Sequence, residues 1–559
     1  MILNLIKEKI AKTLDIKESL FVYPPNNELG DISLPLFSLS KERGESPSSL
    51  ALKIKENVLS LDDFADVFEK IEIVGPYLNF FINKKYLISE TIEFVLNNSQ
   101  NLFYNNSGQQ KKVVFEYSNA NTHKEIHIGH LRNIVLGDSL AKIYLANGFD
   151  AHSVSFINDF GINTAKTVWS YKRKGEGSIG SCYSQAVAEL EKNPELNQEI
   201  ADIMSDIEKR KGENYQLWQE TRDLSLMDFK KVYEILNVDF EKTYFESELI
   251  DEGLKIVNQY LEKGILKKSE GAIIADLEEY KLGVLPIIRS NGTALYPVAD
   301  LALASRKFQD FPGLEKSFLV VDVRQSLHFK QLFKVLELAG YQNDFTHLSY
   351  DFVKLPEGMM SSRSGNAVSF EFLFEKIVER LSEESRRRHE DWSDNKILEN
   401  SQKLAVAILK FEMLKISPNK IITFDIEESL KFDGFNALYI IYSLVRMKSI
   451  LRRANFNFSD VNIKEILFEL NDDLEKNICL ETLKFNDIVV KAGKDNDPSE
   501  VAKYLFSFVQ NFNNYYQKIN ILKSEEKVMW ARLLLIKSCI ILIDNAFCLL
   551  GIESNIEEI

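Results

Sequence analysis

The stretch that most constrains this chain runs from Val113 to Gly148. Val113, Val114 and Phe115 make a short apolar run of the kind that fills a buried strand, and Asn119 to Asn121 interrupt it with residues that favour turns. From Leu131 onward, Leu136, Leu140 and Ile143 recur at helical spacing. Gly148 is placed to end that run, because glycine adopts the backbone that closes a helix at little steric cost. The reading is strand, loop, helix, within an α/β fold. His127, Gly129 and His130 then fall at a helix N-terminus, where free backbone N–H groups and the positive end of the helix dipole favour phosphate. Gly129 allows close approach of a phosphate or a base plane, and two imidazoles three apart can donate to one triphosphate from one side. Ordinary surface histidines are the plain alternative, yet four of the seven histidines of the chain fall between His123 and His152.

Composition narrows the class. The 559 residues leave room for roughly three or four domains, and 45% apolar with 27% charged residues is the balance of a soluble globular protein. A net charge of -15 argues against a non-specific nucleic-acid coat, and against DNA as the partner, because a phosphate backbone needs clustered Lys and Arg. Local basic strips occur at Lys172 to Lys174, at Arg386 to Arg388, and through Arg446, Lys448, Arg452 and Arg453. Each is either a solvated helix face or part of a binding surface. Cys182, Cys479, Cys539 and Cys548 are too scattered for a zinc pair, so no metal site is expected and the thiols should stay reduced in a cytoplasm. Residues 533 to 550 are apolar but carry Lys537 and Asp544, which stops them short of a membrane span. Lys7 and Lys9 lie in an amphipathic pattern that is not a signal peptide.

Residues 1 to about 110 read as a small α/β domain, with a helix through Leu5, Ile6 and Ile10 and a strand from Ile71 to Ile82 broken at Gly75-Pro76. Ala151 to Ile157 alternates as a strand and delivers Asn158 and Asp159 at its carboxyl end, where open α/β sheets collect ligands. Residues 165 to 270 look helical and charged, with Trp218, Phe229 and Tyr233 as apolar anchors, an insertion between two halves of the fold. Ala272 to Leu277, Leu285 to Arg289 and Phe318 to Val323 return to strand, and Tyr296 and Asp300 share one face of an intervening helix. Beyond about residue 381 the pattern turns to long amphipathic helices. Met529, Leu533, Ile536, Ile540, Ile543, Phe547 and Leu550 mark a bundle-core stripe that Gly551 ends.

His127-Ile128-Gly129-His130 resembles the HIGH motif of class I aminoacyl-tRNA synthetases. Its flanks, Glu116-Tyr117-Ser118, Asn121 and Lys124 before and Leu131-Arg132 after, resemble those of arginyl-tRNA synthetases, although Ala120 stands where that family commonly has Pro. The resemblance implies a class I Rossmann-type catalytic domain over 111–385 with the helical insertion around 165–270. An N-terminal α/β domain over 1–110 would bind the tRNA elbow, and an all-α helix bundle over 386–559 would bind the anticodon. It implies ATP contacts from His127, Gly129, His130 and His328, and from Met360, Ser361, Ser362 and Arg363 of a loop that aligns with the second class I motif, KMSKS. Both lysines of that motif are absent, and Lys124 is placed to supply the charge. L-arginine would contact Glu116, Ser118, Asn121, Tyr296, Asp300 and Gln325, and the chemistry suits a planar cation, which pairs with carboxylates and an oriented hydroxyl. Tyr77 and Asn79 would read the elbow of tRNA(Arg), or merely end a strand, and Tyr439 and Arg446 would meet the anticodon by stacking and phosphate contact. ATP and Mg²⁺ are the implied cofactors, and a monomer the implied state.

Three other readings compete. A glutamyl or glutaminyl synthetase shares the HIGH motif but would place a basic residue, not Asp300, against its substrate. A nucleotidylyltransferase would not need the flanking domains. A catalytically inactive tRNA-binding paralogue would account for the missing lysines.

Overall fold

The computed structural model describes the chain apart from residues 1, 62–63, 65, 175–178, 343, 357–367, 456–461, 557 and 559. Apolar residues three and four apart build α1 (Ile2–Leu14). Leu3, Ile6 and Ile10 form its buried stripe; Leu5, expected inside, lies one position off that stripe and is half exposed. Strands β1 (Ile32–Pro35), β2 (Phe68–Val74) and β3 (Tyr77–Ile82) form an antiparallel sheet in the order β1-β3-β2. Val74 pairs with Tyr77, so Gly75 and Pro76 are the two-residue hairpin turn, and Gly75 takes the positive φ of +57° that such turns require. Helices α2 (Phe37–Arg43), α3 (Pro47–Leu59) and α4 (Lys84–Asn97) complete this part.

The central part holds β4 (Lys112–Glu116), α5 (Ile128–Ala146) and β5 (Asp150–Ile157). Four helices follow: α6 (Ile162–Lys174), α7 (Ile179–Lys192), α8 (Asn197–Glu208) and α9 (Gly212–Ile235). Then come β6 (Lys242–Phe245), α10 (Glu246–Glu262), β7 (Lys267–Ser269), β8 (Ala272–Asp276) and β9 (Val284–Ile288). They are followed by α11 (Tyr296–Asp310), β10 (Leu314–Asp322), α12 (Ser326–Leu338) and β11 (Asp344–Tyr350). Five of these strands make one parallel sheet in the order β11-β10-β4-β5-β6. Connections run outward in both directions from β4 and β10, so the topological switch point lies between them, and the crevice at their carboxyl ends is the natural ligand site.

Two expectations need correction here. The segment 165–270 is not wholly helical, because β6 lies inside it and closes the edge of the parallel sheet beside β5. The strands β8 and β9 do not join that sheet; with β7 they form a separate antiparallel one. Their composition agrees, since β9 alternates exposed and buried positions whereas β10 is buried on both faces along Ser317 to Val321. Helices α6 to α9 carry their own small core around Ala165, Trp169, Ile203 and Trp218, and Phe229 packs into the main core.

The remainder begins with β12 (Val353–Lys354), α13 (Phe370–Arg388), α14 (Asp394–Leu414), β13 (Ile422–Thr423) and α15 (Ile426–Ser429). The bundle continues with α16 (Ala437–Ala454), α17 (Ile463–Leu467), α18 (Asp473–Asp495), α19 (Ser499–Lys518) and α20 (Glu526–Leu549). The α20 stripe is buried from Leu533 to Leu550 as its spacing predicts, with Met529 at its start only partly buried, and no helix among the described residues is long and apolar enough to cross a membrane. Helix α5 is buried on nearly every side, against β5, β10, α14, α18 and α20. Its Arg132, 1% exposed, donates to the carbonyls of Asp351, Phe352, Ser417 and Pro418, which ties the start of α5 to the chain on either side of α13 and α14.

Candidate active site

His127 caps the N-terminus of α5, as the turn-then-helix reading predicts. Its Nδ1 accepts the Gly129 N–H at 3.1 Å, and Nδ1 of His130 accepts the His127 N–H at 3.3 Å. With both Nδ1 atoms accepting, each ring carries its proton on Nε2 and has that N–H left to offer. The rings stack with centroids 3.8 Å apart. A Cβ on residue 129 would lie 3.0 Å from Cε1 of His127, so glycine makes room for the stacked pair itself. Burial, then the neighbouring Lys124 and Arg324, push the His127 imidazole down to about 4. Burial, with His127 and Lys124 beside it, holds His130 well below the ordinary histidine range. Both are therefore neutral hydrogen-bond donors at physiological pH and not cations.

Lys124 is half-buried three residues before the cap, with Nζ 4.7 Å from the centre of the Tyr183 ring. Among the described residues no carboxylate lies within ion-pair distance of it. Met360, Ser361, Ser362 and Arg363 lie outside the described residues. The chain just beyond them is pinned to this site: Phe370 donates to the Ile126 carbonyl at 2.8 Å, and Ser369 bridges His127. The crowding of histidines is only half accounted for here. His123 is a buried link between Thr122 and Thr221, and His152 pairs with Asp150 and Glu241 at the opposite end of β5.

On the neighbouring elements, Tyr296 is 59% exposed at the start of α11, and Asp300 one turn on accepts from Nε2 of His328 at 2.8 Å. Gln325 is exposed just before α12. Asn121 bridges Asn158 across the strand ends. Glu116 departs from its expected place facing a guanidinium. It is 1% exposed, Oε2 accepts from Lys307 at 2.7 Å, and Oε1 accepts from Asn119 at 3.1 Å. Ser118 is also turned inward, its hydroxyl 2.7 Å from that of Tyr233. A group outside the sequence motifs sits nearby: Glu246, at the carboxyl end of β6, accepts from Asn158 at 3.2 Å. Burial, reinforced by Asp300 and Asp159, pushes its carboxyl up to about 8. Its place at a strand end is the signal that could have found it. Asp159, singled out for the same reason, instead caps α10 through Ser247 and pairs with Arg222.

A family model described as the catalytic domain of class I (R) tRNA synthetases matches residues 91–423. The chain belongs to the arginyl-tRNA synthetase family. The models for the arginyl-tRNA synthetase N-terminal domain and the DALR anticodon-binding domain match residues 1–82 and 440–556. The arginine–tRNA ligase of Clostridium acetobutylicum is 34% identical over 98% of this chain and 98% of that protein. That of Bdellovibrio bacteriovorus is 32% identical over 99% of this chain and 97% of its own length. The arginyl-tRNA synthetase of Thermus thermophilus superposes with a TM-score of 0.81 at 26% identity, covering 100% of both chains. The Plasmodium falciparum enzyme shares the fold, with a TM-score of 0.78 at 21% identity over 100% of this chain and 98% of that one.

In this synthetase the two outlying surfaces differ from expectation residue by residue. Tyr77 is exposed and meets the exposed Phe37 edge-on at 5.9 Å. Asn79 is 4% exposed and its Oδ1 accepts from Ser33 at 2.6 Å, because β3 turns it into the sheet opposite Ser33. In the bundle, the Tyr439 hydroxyl accepts from Asn513, so this ring is partly spent on packing. Arg446 lies between Tyr442 and Tyr516, at 4.7 and 5.1 Å from their ring centres, and with Arg453 it lines a broad groove. Lys172, Arg173, Arg386, Arg387 and Arg388 are paired with nearby acids and read as solvated helix faces.

Proposed function

We propose that this synthetase activates L-arginine with ATP and transfers it to the terminal adenosine of tRNA(Arg). The observation that carries the reading is the pair of neutral Nε2–H donors at the start of α5, beside Lys124. An oxygen of the arginine carboxylate attacks the α-phosphorus, the bond to the β-phosphate oxygen breaks, and pyrophosphate leaves with that electron pair. His127 and His130 donate to the phosphates as charge shifts onto the leaving group, and Lys124 faces the departing pyrophosphate. Because the imidazoles are neutral, they stabilise by directed hydrogen bonds while Lys124 supplies the charge. Among the described residues no group of three or more His, Cys, Asp or Glu could hold a metal. Mg²⁺, which favours phosphate and water ligands, would arrive on the triphosphate and screen its charge. In the second step the 2'-hydroxyl oxygen of the tRNA attacks the arginyl carbonyl, and AMP departs.

Asp300 and Glu246 supply acids for the guanidinium, and Tyr296 supplies a hydroxyl. Gln325 and Asn121 border the α-amino end, whereas Ser118, turned inward onto Tyr233, supports the strand end behind them. Arginine-dependent exchange of labelled pyrophosphate into ATP tests this, run with and without tRNA and with glutamate, glutamine and lysine as controls. No exchange with arginine and tRNA together, in a protein that still binds tRNA, would favour the inactive paralogue.

A pH dependence follows from Glu246. With its carboxyl near 8 it is protonated at neutral pH, and a guanidinium binds the ionised form better. KM for arginine should therefore fall as pH rises from about 6.5 to 8.5. Glu246→Gln should flatten that slope; a slope that persists would remove Glu246 from the site.

The groove at Tyr442, Arg446 and Tyr516 suits single-stranded anticodon bases, since stacking on an aromatic ring contributes about 1–3 kcal/mol per base. Tyr442→Ala should raise KM for tRNA roughly tenfold and leave KM for arginine in place. Aminoacylation kinetics at varied tRNA would measure it. A monomer suits this reading, and a stable dimer by light scattering would count against it.

A further inference from the structure

We propose that Tyr183, in the second turn of α7, is a positioning residue for adenylate formation: its ring holds the Lys124 ammonium beside His127 and His130, which makes the inserted helices part of the active site. This rests on the assignment of Lys124 to the departing pyrophosphate. Three observations carry it. Lys124 Nζ lies 4.7 Å from the Tyr183 ring centre, and no carboxylate among the described residues takes its charge. The first turn of α7 is pressed onto the residue next to Lys124, since a Cβ on Gly180 would lie 2.3 Å from Cγ of Glu125. Ile179 and Gly180 line the same small cavity as Lys124, Glu125 and Ile126, so this contact is a packed face and not a single touching pair.

The choice of a ring over an acid has a chemical consequence. A carboxylate beside Lys124 would neutralise it and compete with pyrophosphate. The face of an aromatic ring attracts a cation through its quadrupole and leaves the full charge available. The ring also offsets part of the burial that pushes this ammonium below the ordinary lysine range. Tyr183 lies near Tyr296 as well, since it contributes to raising that phenol. It therefore stands between the phosphate side of the crevice and the guanidinium side.

The test uses the full chain in arginine-dependent pyrophosphate exchange with tRNA present. Tyr183→Leu should lower kcat about tenfold with KM for arginine little changed, the scale of a half-buried cation–ring contact. Tyr183→Phe, which keeps the ring, should retain most of the rate. In a Lys124→Ala background, Tyr183→Leu should cause no further loss, because the group it positions is gone. Equal losses in Tyr183→Phe and Tyr183→Leu would overturn the inference, and so would a tenfold loss on top of Lys124→Ala. Full activity in Tyr183→Leu beside a damaged Lys124→Ala would remove this inference alone. An undamaged Lys124→Ala would remove the Lys124 assignment and this inference together.

Discussion

Replacing His130 with alanine should slow arginyl-adenylate formation by roughly 10²–10³-fold, the usual cost of one aimed donor at a site of developing charge. His127→Ala should fall in the same range. The double variant should lose far less than the product of the two, for a reason visible in the geometry. The His130 ring accepts the His127 N–H, and the two rings stack at 3.8 Å, so each holds the other in place. Either single change already loosens its neighbour, and groups that act as a unit are not additive. Single-turnover adenylate formation with all four proteins measures this. Fully multiplicative losses would mean that the two imidazoles act independently. Since burial holds both rings below the ordinary histidine range, the rate should show no titration of His127 or His130 between about pH 6 and 8.

Lys307→Met should be the most damaging single change to stability outside the apolar core. Lys307 and Glu116 are each 1% exposed and pair at 2.7 Å, with Ser317 a second acceptor for the ammonium at 2.9 Å. Removing one partner leaves a carboxylate buried without its counter-charge, which costs about 3–5 kcal/mol. Adding Glu116→Gln to Lys307→Met removes the orphaned charge and should recover most of that loss, since a pair replaced by neutral groups is often nearly neutral for stability. Urea unfolding of the central part, followed by tryptophan fluorescence, would measure both. A single variant as stable as the parent would mean that Glu116 is solvated in solution. Glu116→Gln alone should also report on arginine. If its KM for arginine stays near the parent value, the carboxylate serves Lys307 and the sheet; a large rise would return it to the substrate.

What the sequence determined by itself was local. The strand through Val113 to Phe115, the loop of asparagines, and the helix that follows with His127 to His130 at its start are legible from apolar spacing and turn residues. These signals act over three or four positions and so are visible in a string of residues. The same holds for the buried stripe of α20 and for the break at Gly75-Pro76, although only the structure shows that the break is a hairpin turn between two antiparallel strands. What only the tertiary structure decided was which charges meet. Glu116 and Lys307 stand 191 positions apart, and Asp300 meets His328 only because α11 and α12 pack together beside β10. Glu246 comes to the carboxyl end of the parallel sheet, beside Asn158, because β6 completes that sheet, a pairing hidden inside a segment that reads as helical. Asn79 and Tyr77, two apart on one strand, part company because Asn79 lies opposite Ser33, which hydrogen-bonds it inside the sheet, while Tyr77 opens the strand beside the hairpin turn, opposite Pro35, and stays exposed. Residue type and spacing propose a polar group for a site. Whether its charge remains available depends on burial and on partners brought from distant segments, and those are set by the packing of strands and helices.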